Sequence, residues 1–125
     1  MQLLLDTHAL IWWLSNDSTI SSKAKKAIAN PDNIVFVSAA SAWEIAIKKS
    51  LGKLQAPDDL SVQIEEKRFT PLAISINHAL MIEKLPLHHQ DPFDRILIAQ
   101  AISENLIIIT RDRKFKAYEV KTIKC

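Results

Sequence analysis

The stretch His88-His-Gln-Asp-Pro-Phe-Asp-Arg-Ile-Leu-Ile-Ala-Gln-Ala-Ile-Ser-Glu-Asn-Leu-Ile-Ile-Ile-Thr-Arg-Asp112 decides how the chain is read. Asp91 has the composition of a helix N-cap, Pro92 is pre-set for the first helical position, and Asp94 falls in the first turn. A helix dipole favours negative charge there, so Asp94 is expected to stay ionised. The helix turns over through Glu104-Asn105 into Leu106-Ile107-Ile108-Ile109, an apolar run of buried-strand length, and the chain leaves that run at Thr110-Arg111-Asp112. A helix N-terminus and a strand C-terminus thus both deliver acids.

Upstream, the same grammar repeats. Leu3-Leu4-Leu5 is a short strand ending in Asp6-Thr7-His8, and Ala9 to Leu14 reads as a helix broken by Asn16-Asp17-Ser18. Ser21 to Ala29 forms a second helix, basic on one face and stopped by Asn30-Pro31. Ile34-Val35-Phe36-Val37 is β-branched and apolar, as the interior of a parallel sheet requires. Ser38 to Leu51 is helical with lysines near its C-terminus and Glu44 inside it, and Gly52, the only glycine, stands where a left-handed C-cap is wanted. A helical piece from Pro57 to about Lys67, a strand at Pro71 to Ile74 and an amphipathic helix from Ser75 to Leu85, ended by Pro86, follow. Beyond Asp112, Lys114 to Tyr118 suits a turn of helix, and Val120 to Ile123 alternates like an edge strand. Alternating strands and helices predict an α/β fold with a mainly parallel sheet covered on both faces. In that architecture function collects at the carboxyl ends of the strands, where strand order reverses.

With 125 residues, 48% hydrophobic and 24% charged, residues 1–125 read as one ordinary globular domain able to bury its own core. The longest apolar runs are too short to span a bilayer, and Met1 leads into Gln-Leu-Leu-Leu-Asp without a basic leader, so no membrane role and a cytoplasmic location are expected. Cys125 is the sole cysteine, which excludes an internal disulfide and a thiolate metal site. A net charge of +2 permits a nucleic-acid partner without requiring one.

The candidate chemistry lies in Asp6, Glu44, Asp94 and Asp112, with Asp91 beside the third. Each also has a structural explanation. Asp6 and Asp91 could cap helices, Asp94 could answer a dipole, Glu44 could close a capping box with Ser41, and Asp112 could open a turn. Jointly, acids gathered at one sheet edge repel, and only a polyvalent cation lets several remain ionised. Oxygen ligands favour Mg²⁺ or Mn²⁺, and such a carboxylate cup is the machinery of in-line phosphodiester hydrolysis. Arg95, Arg111, Arg113, Lys114 and Lys116 could rim the cup and hold a phosphate chain, Arg95 and Arg111 foremost, or could form a solvated charge-balanced loop. His88-His89 lacks a nearby third ligand and reads as solvent-exposed, while His8 and His78 read as packing or surface groups on helices.

Four segments, Leu-Leu-Asp6-Thr-His-Ala-Leu, Ser-Ala-Ala-Ser-Ala-Trp-Glu44-Ile-Ala-Ile-Lys, Asp-Pro-Phe-Asp94-Arg-Ile-Leu-Ile-Ala-Gln-Ala and Ile-Ile-Thr-Arg-Asp112, resemble in order the motifs of the PIN-domain family, and within it the VapC-like toxins of bacterial toxin–antitoxin pairs. The resemblance spans essentially the whole chain. It implies a three-layer α/β/α domain and a Mg²⁺- or Mn²⁺-dependent endoribonuclease whose acids correspond to Asp6, Glu44, Asp94 and Asp112. Thr110 then matches the family's hydroxyl residue before the last acid, and Asp91 is read mainly as a cap. Metal-assisted attack by water would leave a 5′ phosphate. The resemblance further implies a homodimer and a small antitoxin whose tail covers the groove and plugs the acidic site with a basic side chain. Trp12 and Trp13 point about 100° apart on a helix, so either one serves a partner surface or both are absorbed between helix layers. A receiver-type domain would need an acceptor aspartate ending a middle strand, and a haloacid-type phosphatase an Asp at position 8, where this chain has His. A catalytically silent PIN-like RNA-binding or scaffold module remains the rival.

Overall fold

In the computed structural model, which describes residues 1–125, five short strands hydrogen-bond in the order β3-β2-β1-β4-β5, every neighbouring pair parallel. They are β1 (Gln2–Leu5), β2 (Ile34–Ser38), β3 (Thr70–Leu72), β4 (Ile107–Thr110) and β5 (Thr122–Lys124). The crossovers carry six helices, α1 (Thr7–Leu14), α2 (Ser22–Ala29), α3 (Ala39–Ser50), α4 (Leu60–Glu66), α5 (Ile76–Met81) and α6 (Pro92–Glu104). Two 3₁₀ turns, Ile82–Lys84 and Arg113–Ala117, complete the chain.

The strand period sorts the core into two layers. Leu3 and Leu5 of β1 pack with Val35, Val37, Leu10, Ala24 and Ile28 on one face of the sheet. Leu4 points the other way, into a cluster with Ile108, Leu97, Ile98 and Ala101 beneath α6. The result is the expected three-layer α/β/α arrangement. No helix is long and apolar enough to cross a membrane.

Strand order reverses at β1, flanked by β2 on one side and β4 on the other. A crevice therefore opens between the carboxyl ends of β1 and β4, where the Asp6 amide still donates to the Ile109 carbonyl (3.1 Å). Thr110 is the last residue of β4 rather than part of the outgoing loop, and β5 begins two residues later and ends one later than its alternation suggests. It is the edge strand, as anticipated.

β2 passes into α3 without a loop. Ser38 is the N-cap, its hydroxyl accepting the Ala40 amide (3.0 Å), so the capping box that is the alternative reading of Glu44 does not form. Glu44 instead lies in the second turn of α3, where Thr7 and Lys48 engage its carboxylate. Past α3, Gly52 adopts φ +68°, and the Gly52 and Lys53 amides return to the carbonyls of Lys49 (3.0 Å) and Lys48 (2.9 Å). This is a Schellman closure requiring a left-handed residue. Asn105, at φ 56°, ends α6 in the same manner.

Candidate active site

Asp6 is the N-cap of α1, with Oδ1 accepting the Ala9 amide at 2.8 Å, and only 6% of the residue is exposed. Burial raises the pKa of its carboxyl, while hydrogen bonds from the Thr110 hydroxyl and the Ala9 amide pull it back down. Thr7 donates to Glu44 Oε1 (2.7 Å) and stands 3.1 Å from Ser41 Oγ, which ties the start of α1 to α3. The other oxygen of buried Glu44 pairs with Lys48 one turn along the helix, and that bond raises the Lys48 pKa.

Asp91 caps α6, its Oδ1 accepting the amides of Phe93 (2.8 Å) and Asp94 (3.1 Å). Asp94 then sits in the first turn, but the expectation that the helix dipole keeps it ionised fails. Its pKa is pushed up to about 8, first by burial and then by the charges of Asp91, Asp6, Glu44 and Asp112. A terminal dipole is worth about 1 kcal/mol, too little to oppose desolvation and four like charges. Asp112 closes the circle beyond β4. Its amide donates to Thr110 Oγ1 (3.0 Å), and its Oδ1 accepts the Lys114 amide (2.9 Å). The cap and turn roles read from the sequence for Asp6, Asp91 and Asp112 are thus all present alongside the convergence.

Asp6, Asp91, Asp94 and Asp112 line one cleft of about 580 Å³ with His8, His88 and His89. Glu44 does not line it and reaches Asp94 through charge alone. His89 contradicts its expected exposure. Only 5% exposed, its Nε2 lies 2.9 Å from both Asp112 Oδ2 and Asp94 Oδ2. His88 is the exposed member of the pair, its ring edge-on to Tyr118. His78 is buried, closes a capping box with Ser75 and meets Glu104 at 2.8 Å.

The basic residues divide. Arg95, expected to touch phosphate, is 8% exposed and turned inward. Its guanidinium donates to the carbonyls of Ile82 (3.1 Å), Pro86 (3.1 Å) and His89 (3.2 Å), which withdraws it from substrate. The reason lies in its place in the first turn of α6, beside Asp94 but facing the preceding loop. Arg111 stacks over the Trp12 ring at 3.8 Å and donates to Cys125 O (3.1 Å) and Thr19 Oγ1 (2.7 Å). It forms a wall of a second cleft, about 300 Å³, lined also by Arg113, Lys116, Thr122 and Lys124 and sharing Asp112 with the acidic one. Lys114 lines the acidic cleft.

Trp12 and Trp13 are both half-buried against the core, whereas Trp43, adjacent to Glu44, is 59% exposed and meets Phe93 edge-on at 5.1 Å. Sequence reasoning missed Thr7, Lys48 and His89. Lys48 had a signal in its i+4 spacing from Glu44, and His89 one in standing two residues before a helix cap. Thr7 had none.

An oxygen-rich cleft in which burial and four neighbouring carboxylates raise the Asp94 pKa to about 8 fits a divalent cation. Its place at the β1–β4 reversal fits a known architecture, and a model of the PIN domain matches residues 3–121. The chain belongs to the PIN domain family. Among relatives of this PIN domain, Ribonuclease VapC22 of Mycobacterium tuberculosis is 26% identical over 123 residues, covering 93% of this chain and 91% of the relative. DNA-bound VapBC from Salmonella typhimurium superposes with a TM-score of 0.72 at 17% identity over 98% of this chain and 97% of that one. VapBC2 from Rickettsia felis, bound to a promoter DNA fragment, gives 0.74 at 16% identity over 98% of both chains. At those identities the likeness to the solved structures is one of fold.

Proposed function

We propose that residues 1–125 form a divalent-metal-dependent endoribonuclease domain, the toxin of a VapBC-type pair acting in the cytoplasm. The observation that carries this reading is the convergence of Asp6, Asp91, Asp94 and Asp112 on one cleft at the strand-order reversal. Burial and the neighbouring carboxylates together raise the Asp94 pKa to about 8, and a bound cation would offset both. Its relative's designation as a ribonuclease and the toxin–antitoxin complexes among its structural neighbours support the same reading.

Asp6, Asp94 and Asp112, with Glu44 behind them, would hold Mg²⁺ or Mn²⁺. When bound, the ion supplies positive charge that favours deprotonation of the attacking water and stabilises the departing 3′ oxygen. Thr110 joins Asp6 to the Asp112 amide and so keeps two of the acids in register across β1 and β4. Lys48 neutralises Glu44 without entering the cleft lining. Arg113, with Lys116 and Lys124, would hold RNA phosphates along the adjoining basic cleft whose wall Arg111 shapes, and Lys114 would meet them from the acidic cleft. Water rather than the 2′-OH is the nucleophile, leaving a 5′ phosphate. A second copy of this chain and a small antitoxin, whose basic side chain would occupy the acidic cleft, are the proposed protein partners.

The test is cleavage of RNA with Mg²⁺ or Mn²⁺ by the wild-type chain and by Asp6→Asn and Asp94→Asn variants whose circular dichroism matches it. Loss of cleavage in both variants is expected. Retained cleavage would remove the site, and absence of any metal-dependent cleavage by the wild type would favour the catalytically silent module.

A further inference from the structure

The buried imidazole of His89 is left unexplained by a carboxylate cup, and it does not arise from packing alone. We infer that His89 is a positioning residue for the proposed metal site, bridging the carboxylates of Asp94 and Asp112 from outside the ion's coordination shell. The inference rests on the metal-nuclease reading and adds a residue to it.

Three observations carry it. The Asp91 amide donates to His89 Nδ1 (3.3 Å), so that nitrogen presents its lone pair and Nε2 carries the hydrogen. Nε2 therefore donates to Asp112 Oδ2 at 2.9 Å, with Asp94 Oδ2 also 2.9 Å away, and has no lone pair for a cation. Ligation through Nε2 would put the proton on Nδ1, facing another N–H.

The residue is also fastened. Its amide donates to Tyr118 Oη (2.8 Å), its carbonyl accepts Arg95 Nη1 (3.2 Å), and Tyr118 Oη donates on to Pro86 O (2.7 Å). Phe115 meets the ring at 5.6 Å and 89°. The inward turn of Arg95 thus has a use, in clamping the loop that delivers His89.

Finally, the two bridged acids come from different parts of the fold. Asp94 is in the first turn of α6 and Asp112 follows β4, and His89 is the side chain that touches both. With Asp112 Oδ1 held by the Lys114 amide and Oδ2 by His89, that carboxylate is fixed in orientation before any ion arrives. Partners of this kind typically alter metal affinity when removed.

The experiment is Mn²⁺ binding to the full chain, followed by electron paramagnetic resonance, for wild type, His89→Gln and His89→Leu. The glutamine amide nitrogen can occupy the place of Nε2 and donate to both acids, whereas leucine cannot. We expect the leucine variant to bind Mn²⁺ about 10–100-fold more weakly and the glutamine variant to recover most of that loss. Electron spin echo modulation of the wild type should show no directly bound ¹⁴N. A directly bound nitrogen that disappears in His89→Leu would make His89 a ligand and overturn the inference while leaving the nuclease reading intact. Unchanged affinity in His89→Leu, or a loss in His89→Gln as large as in His89→Leu, would also overturn it. If His89→Leu does not fold, the wild-type spectrum and the glutamine affinity decide. Failure of the wild type to bind Mn²⁺ at all would remove the nuclease reading and this inference together.

Discussion

Stripped of divalent ions, the protein should lose stability as pH rises, and Asp94→Asn should remove most of that loss. Asp94 is 19% exposed, and its carboxyl stands at about 8 in the folded chain against an ordinary 3.8. Between those values the folded state keeps a proton that the unfolded chain has released, so unfolding is increasingly favoured as pH climbs through the window. The full shift corresponds to about 5–6 kcal/mol. Of this, about 4 kcal/mol falls between pH 5 and 9, because that window opens above the unfolded value, and screening by buffer ions at the open side of the cleft leaves roughly 3 kcal/mol. That is a large share of the roughly 5–15 kcal/mol typical of a whole domain.

Urea unfolding followed by circular dichroism in EDTA, at intervals from pH 5 to 9, measures it directly. The stability difference between Asp94→Asn and wild type should grow in the variant's favour by that amount from pH 5 to pH 9. A residual downward slope in the variant is expected from Asp6, whose carboxyl is also raised by burial. Adding Mg²⁺ at pH 7 should restabilise the wild type with release of a proton, and leave the variant nearly unmoved. A wild-type stability that is flat or rising across this range in EDTA, or a variant that tracks it, would refute the reasoning.

Arg95→Met should lower stability by about 3–5 kcal/mol in the same urea assay, because buried carbonyls in the Ile82–His89 segment lose a charged donor. Unchanged unfolding with a raised KM for RNA would return Arg95 to the substrate. An Arg113→Ala, Lys116→Ala double variant, made on an Asp6→Asn background to prevent cleavage, should bind single-stranded RNA with a salt slope shallower by about 1.4. An identical slope would mean the strand does not follow the basic cleft. Gly52→Ala should cost about 1 kcal/mol in urea unfolding from its φ of +68° alone, since no atom crowds its side. A neutral substitution would mean the Schellman closure relaxes.

What the sequence made legible was set by local rules. Leu3-Leu4-Leu5, Ile34 to Val37 and Leu106 to Ile109 announce strands by apolar composition, and Asp91-Pro92 announces a helix by capping chemistry. The acids at strand ends followed from those elements. What stayed hidden depends on pairs distant in the chain. His89 reaches Asp112 and Arg95 reaches back to Ile82 only because α6 and β4 pack as they do. A charged residue beside Asp94 reads as a substrate contact until the loop before α6 is seen to need its donors. The Trp12-Trp13 pair draws notice because adjacency on a helix is visible in sequence, whereas the exposure of Trp43 is not.

The cap and turn bonds of Asp6, Asp91 and Asp112, weighed as rivals to a metal role, are compatible with the proposed site. Asp6 gives Oδ1 to the Ala9 amide, and Asp112 gives Oδ1 to the Lys114 amide. Each backbone bond fixes the plane of its carboxylate, and a carboxylate so fixed pays no further ordering entropy when a cation arrives. Asp91 extends the arrangement by orienting the turn that carries Asp94 while adding charge that raises its pKa. Substituting a cap in this protein should therefore weaken metal affinity as well as helix stability. In an isolated helix the same substitution would touch stability alone, at roughly 0.5–2 kcal/mol. Parallel measurement of Mn²⁺ affinity and unfolding free energy in Asp91→Ala separates the two: a stability loss with unchanged affinity would confine Asp91 to capping.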